Sequence, residues 1–122
     1  MRGRRLWMKL DSQSGVVKVY VTKNQLKVED GTLVDACFDP HANTIEIKWS
    51  EDLHHMKMKL LHELLHVCFN PHAGDMKQNI LGGKDYIEWD TREELLVSFL
   101  EPILFDLLVR NGMVRFPNPP KP

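Results

Sequence analysis

The sequence predicts an α+β fold: a small, mostly antiparallel three-stranded sheet packed against one long helix, followed by a second, C-terminal helix. Three observations predict it. Apolar residues alternate with period two in several stretches of the first half, residues 51–69 carry an apolar stripe at helical spacing, and a second apolar helical run lies beyond residue 90. With 122 residues, 43% of them hydrophobic, the chain reads as one domain with a real core. That domain spans 1–122, with a basic head over 1–10 and a proline-rich tail over 116–122 expected to be frayed or extended.

Residues 16–21 alternate as a first strand, 33–38 form a second, and 44–49 give a period-two third with Ile45, Ile47 and Trp49 on one face or at a sheet edge. Asp39, Pro40 and Asn43 supply the turn of a hairpin between the last two. Residues 6–10 add at most a short strand. For the first helix, Ser50 is the expected N-cap and Glu51 and Asp52 place negative charge in its first turn. Asn70-Pro71 ends it, because proline disfavours the helical region for its predecessor. Residues 71–89 read as a long loop. The second helix is expected over 90–110, closed by Asn111-Gly112 and kinked at Pro102, which frees the Ser98 carbonyl.

A formal net charge of -1 and a pI of about 6.6 exclude a global electrostatic attraction to nucleic acid or membrane. Arg2, Arg4, Arg5 and Lys9 read as a solvated basic terminus rather than a nucleic-acid contact. No apolar run reaches spanning length and no signal-peptide core is present, so a soluble, cytoplasmic protein is expected. Cys37 and Cys68 are too few for a disulfide scaffold and read as reduced core thiols. Cys68 is also a poor metal ligand, being about 160° around the helix from His66.

The chemistry centres on His62-Glu63-Leu64-Leu65-His66. Histidines four apart stack on one helix face and can reach one zinc ion, while Glu63 projects about 100° away, beside the metal. Zinc brings the pKa of its bound water near neutrality, and Glu63 is the expected general base as that water attacks a carbonyl. The bland reading is a helix flank that happens to carry solvated histidines.

Two histidines need a third ligand, and three residues compete. His72 has the spacing of the long H-E-x-x-H-x-x-G-x-x-H motif, but Phe69 occupies its glycine position, leaving Asn70 to make the left-handed turn. Glu93 and Glu94 stand together at the expected start of the second helix, where each could instead belong to a capping box, with Asp90 or Thr91. Helical geometry places Glu93 nearer the apolar face. Candidates for stabilising a developing oxyanion are Tyr86, His72 and Arg92. The strand carrying Trp49 is the expected edge for pairing with an extended substrate.

In its order of parts the chain resembles small phage and prophage zincin-like proteins, distant relatives of the metallopeptidases that cleave prophage repressors. The resemblance runs over residues 33–111: the hairpin with Asp35-Ala36-Cys37-Phe38-Asp39 and Thr44-Ile45-Glu46-Ile47, the helix with Lys59-Leu60-Leu61 ahead of the histidine motif, and the helix beginning Glu93-Glu94-Leu95-Leu96-Val97. It implies one zinc ion, a glutamate third ligand, a protein or peptide substrate and a bacterial cytoplasm as the setting. Counting back from Asn111 in the family pattern selects Glu94, and the apolar spacing after Glu94 resembles the thermolysin-like glutamate helix. The expected function is therefore zinc-dependent peptide-bond hydrolysis, with Glu63 catalytic and His62, His66 and Glu94 as ligands, ahead of Glu93 and then His72. Two alternatives are a protein-binding module on the same scaffold that cuts nothing, and a nucleic-acid-associated protein using the basic head. Pro102 and the N-terminal third depart from the family pattern.

Overall fold

Alternation decides which side chains meet. Val17, Val19 and Val21 on strand β2 (Gly15–Thr22) and Ile45 and Ile47 on β6 (Thr44–Lys48) share one sheet face, where all five are fully buried. Met56, Leu60 and Val67 of helix α1 (Leu53–Phe69) close over that face and complete the core. The computed structural model describes residues 3–72 and 86–122, with the backbone alone at 72 and 86–90.

The sheet has four strands in mixed orientation, which corrects the expected three-stranded, mostly antiparallel one. Its order is β1 (Arg4–Ser12), β2, β6 and β5 (Ala36–Asp39); β2 and β6 run parallel, and the outer pairs are antiparallel. Parallel neighbours need a long crossover, and residues 23–43 supply it. The expected strand over 33–38 is two pieces. Leu33–Val34 (β4) pairs with Leu26–Lys27 (β3) as a separate ribbon, and Ala36–Asp39 is the edge of the main sheet. The β5–β6 hairpin forms as expected: the Asp39 carboxylate accepts from the N–H groups of His41 and Ala42, and Asn43 takes a left-handed conformation at φ 52°.

Strand β1 spans nine residues rather than a marginal five. A bulge between Leu6 and Met8 inserts Trp7 into the ladder and breaks the alternation by which a strand is recognised. That bulge gives Trp7 its role, since its Nε1 donates to the Pro117 carbonyl at 3.1 Å. The tail is therefore docked rather than frayed. Arg5 donates to the Lys121 carbonyl, Lys57 to Asn118, and Phe116 stacks on Phe105 with ring centroids 6.5 Å apart while packing against the core. Arg4 of the basic head is engaged too: it lies 3.9 Å over the Tyr20 ring and pairs with Glu46.

Helix α1 is capped by Asp52, not Ser50; the Asp52 carboxylate accepts from the His55 N–H at 3.0 Å, while the Ser50 hydroxyl accepts from Asp52. Its first turn therefore carries no acidic residue. At the other end Asn70 stays in the right-handed helical region, and the chain narrows to a 3₁₀ turn over Asn70–His72. Pro71 thus tightens the helix end without turning it. Both cysteines are free, but Cys68 is exposed, so only the half-buried Cys37 is near the core. Burial, reinforced by the charges of Glu46, Glu63 and Asp39, pushes the Cys37 thiol pKa up.

Most of the expected loop over 71–89 lies outside the described residues. Helix α2 (Tyr86–Leu104) begins before Asp90, because nothing in Tyr86-Ile87-Glu88-Trp89 breaks a helix. It passes through Pro102, then widens into a π turn over Phe105–Val109. The end comes where expected: Gly112 at φ +70° donates to the Val109 carbonyl and Met113 to that of Leu108, the Schellman pattern. No helix among the described residues is long and apolar enough to cross a membrane.

Replacing Phe116 with Ala removes a partly buried ring from the core and from Phe105, and should destabilise the protein by about 2 kcal/mol in urea unfolding. Stability indistinguishable from that of the parent would mean that the tail is frayed after all.

Candidate metal centre

Helices α1 and α2 pack side by side, and the centre lies between them. The i, i+4 spacing brings His62 and His66 onto one face of α1 with ring centroids 5.1 Å apart. From α2, the Glu94 carboxylate bridges them: Oε1 lies 3.0 Å from His62 Nε2 and Oε2 lies 2.8 Å from His66 Nε2. Donor atoms of these three residues all lie within 4.8 Å of one another, a group able to hold a metal ion. Tetrahedral coordination at about 2.1 Å separates donors by about 3.4 Å, so each carboxylate–imidazole contact has to open by only about half an ångström. Two imidazoles and a carboxylate form a donor set that suits zinc. The donor set fits a metal, and Glu94 is the carboxylate that meets both rings.

Each imidazole is held at its other nitrogen too. His66 Nδ1 lies 2.7 Å from Glu93 Oε2, and His62 Nδ1 lies 3.3 Å from Glu101 Oε2. A carboxylate on the far nitrogen orients the ring and leaves Nε2 as the coordinating atom. Glu93, weighed as a ligand, meets the outer nitrogen of His66 and lies outside the group of three. Glu101 was missed altogether. It lies seven residues, almost two full turns, after Glu94 on the same side of α2, and that spacing is the signal that could have found it. Because α2 begins at Tyr86, Asp90 and Thr91 lie inside it, and neither caps the helix with Glu93 or Glu94.

Glu63 is 7% exposed, the most deeply buried carboxylate among the described residues. Burial holds its carboxyl pKa above the usual range, opposed by the attraction of His66 and His62. Burial alone would lower the His66 pKa, but the Glu93 hydrogen bond and the charges of Glu63, Glu94 and Glu93 outweigh it and raise the value. The side chain of Glu94 is 55% exposed, so solvent reaches the centre.

A groove of about 940 Å³ opens over these residues and is bounded by β5 opposite α1. Strand β5 is the sheet edge here, not the strand carrying Trp49: β6 is flanked on both sides, by β2 and β5. Lys48 donates to the Asp35 carbonyl at 2.7 Å, so in the alternating antiparallel ladder the N–H and C=O groups of Ala36 and Phe38 point away from β6. Those groups are the edge's pairing sites. Of the oxyanion candidates, Arg92 is exposed and does not line the groove. The side chains of Tyr86 and His72 lie outside the described residues. Asn70 does not make the left-handed turn on which His72 as a ligand depended.

Zinc titration monitored by calorimetry should give one site per chain, which Glu94→Ala largely abolishes. Glu93→Ala and Glu101→Ala should weaken binding about 10- to 100-fold through loss of ring orientation. Chelation should lower the melting temperature and leave cooperative unfolding intact, since the buried apolar core contains none of the candidate ligands. Full affinity in Glu94→Ala would refute the ligand assignment.

No family model, curated protein or solved structure matches the chain, so the reading of this centre rests on its donor geometry.

Proposed function

We propose that the protein is a zinc-dependent peptidase in which His62, His66 and Glu94 hold the metal and Glu63 is the general base. One observation carries the reading: a carboxylate from α2 reaches both motif histidines beside a buried Glu63, inside a groove edged by a free strand. Zinc, when bound, supplies an acidified water and a Lewis acid for the scissile carbonyl.

The chain's own residues supply the rest. Glu63 accepts the proton of the attacking water on a carboxylate oxygen and passes it to the leaving amine; its burial makes it a stronger base than a solvated carboxylate. Glu93 and Glu101 keep the two rings in place while charge develops in front of them. An extended substrate adds to the β5 edge through the backbone groups of Ala36 and Phe38, a contact that tolerates many sequences. Peptide or protein is thus the substrate class that the groove favours.

Glu63→Gln should keep zinc and lose about a hundred- to ten-thousand-fold in cleavage of a peptide-library substrate, because an amide cannot take the proton. His62→Ala should lose both metal and cleavage. Cleavage by Glu63→Gln at the parent rate would sink the mechanism, and a phenotype that survives Glu63→Gln would favour a binding module on the same scaffold.

A further inference from the structure

Helix α2 is apolar on two opposite sides. Val97 is fully buried beneath it, and Phe105 is buried in the π turn that follows. Phe99, about 200° around the helix from Val97, is 65% exposed. Leu95, Ile103 and Leu107 are exposed with it, four residues apart along one ridge, and Leu96 is exposed alongside. An apolar stripe along a helix is normally buried against a partner. Among the described residues this one packs on α1 and on its own π turn.

The ridge is self-complementary. Leu95 and Ile103 lie four residues either side of Phe99, and Arg92 and Asp106 lie seven residues either side. Two copies crossing antiparallel at Phe99 therefore set Leu95 against the second copy's Ile103 and Arg92 against its Asp106, once at each end. Such a contact joins identical patches about a two-fold axis. Rows of side chains spaced by four pack into one another's grooves in the commonest helix–helix geometry. The five exposed apolar side chains present on the order of 500 Å² on one face, the size of the largest apolar patch on a typical monomer, which is often a functional surface. Two copies covering these side chains in full would bury about 1,000 Å², the size of a weak, reversible dimer contact. Asp106 already bonds Arg110 at 2.8 Å through Oδ1, which holds the carboxylate at the end of the ridge.

We propose that the outward face of α2 is a homodimer interface, with two copies packed helix against helix about a two-fold axis at Phe99. The metal-binding group lies on the side of α2 that faces α1, so this reading is independent of the catalytic one.

Sedimentation equilibrium of the full chain across a concentration series tests it. The parent should show a monomer–dimer equilibrium, and Phe99→Glu should be monomeric throughout while keeping the parent's helical signal and cooperative unfolding. Phe99→Ser serves in its place if the charged variant fails to fold. Arg92→Glu should weaken dimerisation about tenfold, and Arg92→Glu with Asp106→Arg should restore it. A monomeric parent, or a dimer that Phe99→Glu leaves intact, would overturn the proposal. Failure of the charge exchange to restore the dimer would overturn the two-fold register.

Discussion

The pairing of two imidazoles on one helix with three carboxylates on the next is the constraint on which the arrangement of this protein depends. His62 and His66 are largely buried, and so are Glu93 and Glu101. Groups of this kind without partners would be expensive to withdraw from water. Here each ring nitrogen meets a carboxylate, with Glu94 spanning the two inner nitrogens and its neighbours taking the outer ones. Those four contacts fix the rotation of α2 about its own axis, because its acidic side has to face α1. The same rotation turns Phe99 and its apolar neighbours outward.

Beneath the centre, the β2–β6 pair does the supporting. Its buried branched side chains hold Met56, Leu60 and Val67, which sets the rotation of α1 and aims the two histidines at α2. Glu63 falls on the boundary between these two demands. It follows His62 by one residue, so it is turned toward the sheet side and is buried with the core residues of α1. A carboxylate in that position is unfavourable for stability, since burial disfavours its charged form. Residues that conflict with the core they sit in mark functional positions more often than errors of folding.

Edge strand β5 connects the fold to the groove. Because β6 is interior, the hairpin puts the short Ala36–Asp39 segment at the edge, directly across the groove from the histidine helix. A four-residue edge of this kind offers few pairing groups, which limits edge-to-edge association while leaving Ala36 and Phe38 able to take an extended chain. At the far side of the sheet, the tail docks on β1 through Arg5 and the bulged Trp7, which ties the chain's end to that edge of the sheet.

The sequence by itself determined the α+β class, the β5–β6 hairpin, the motif helix and the Asn111-Gly112 stop, because each is set by local periodicity or turn chemistry. It also determined that His62 and His66 share a face with Glu63 beside them, since helical spacing permits nothing else. What it left open depended on longer-range contacts. Alternation marks a strand but not its neighbour or direction, so the parallel β2–β6 pairing was out of reach, and the Trp7 bulge hid β1 by disrupting its period. The roles of Glu93, Glu94 and Glu101 turn on the rotation of α2, which has two apolar sides; reading its apolar face as the one toward α1 favoured Glu93. Only the packing of α2 on α1 decided which side faces inward, and with it that Glu94 meets both inner ring nitrogens while Glu93 and Glu101 meet the outer ones.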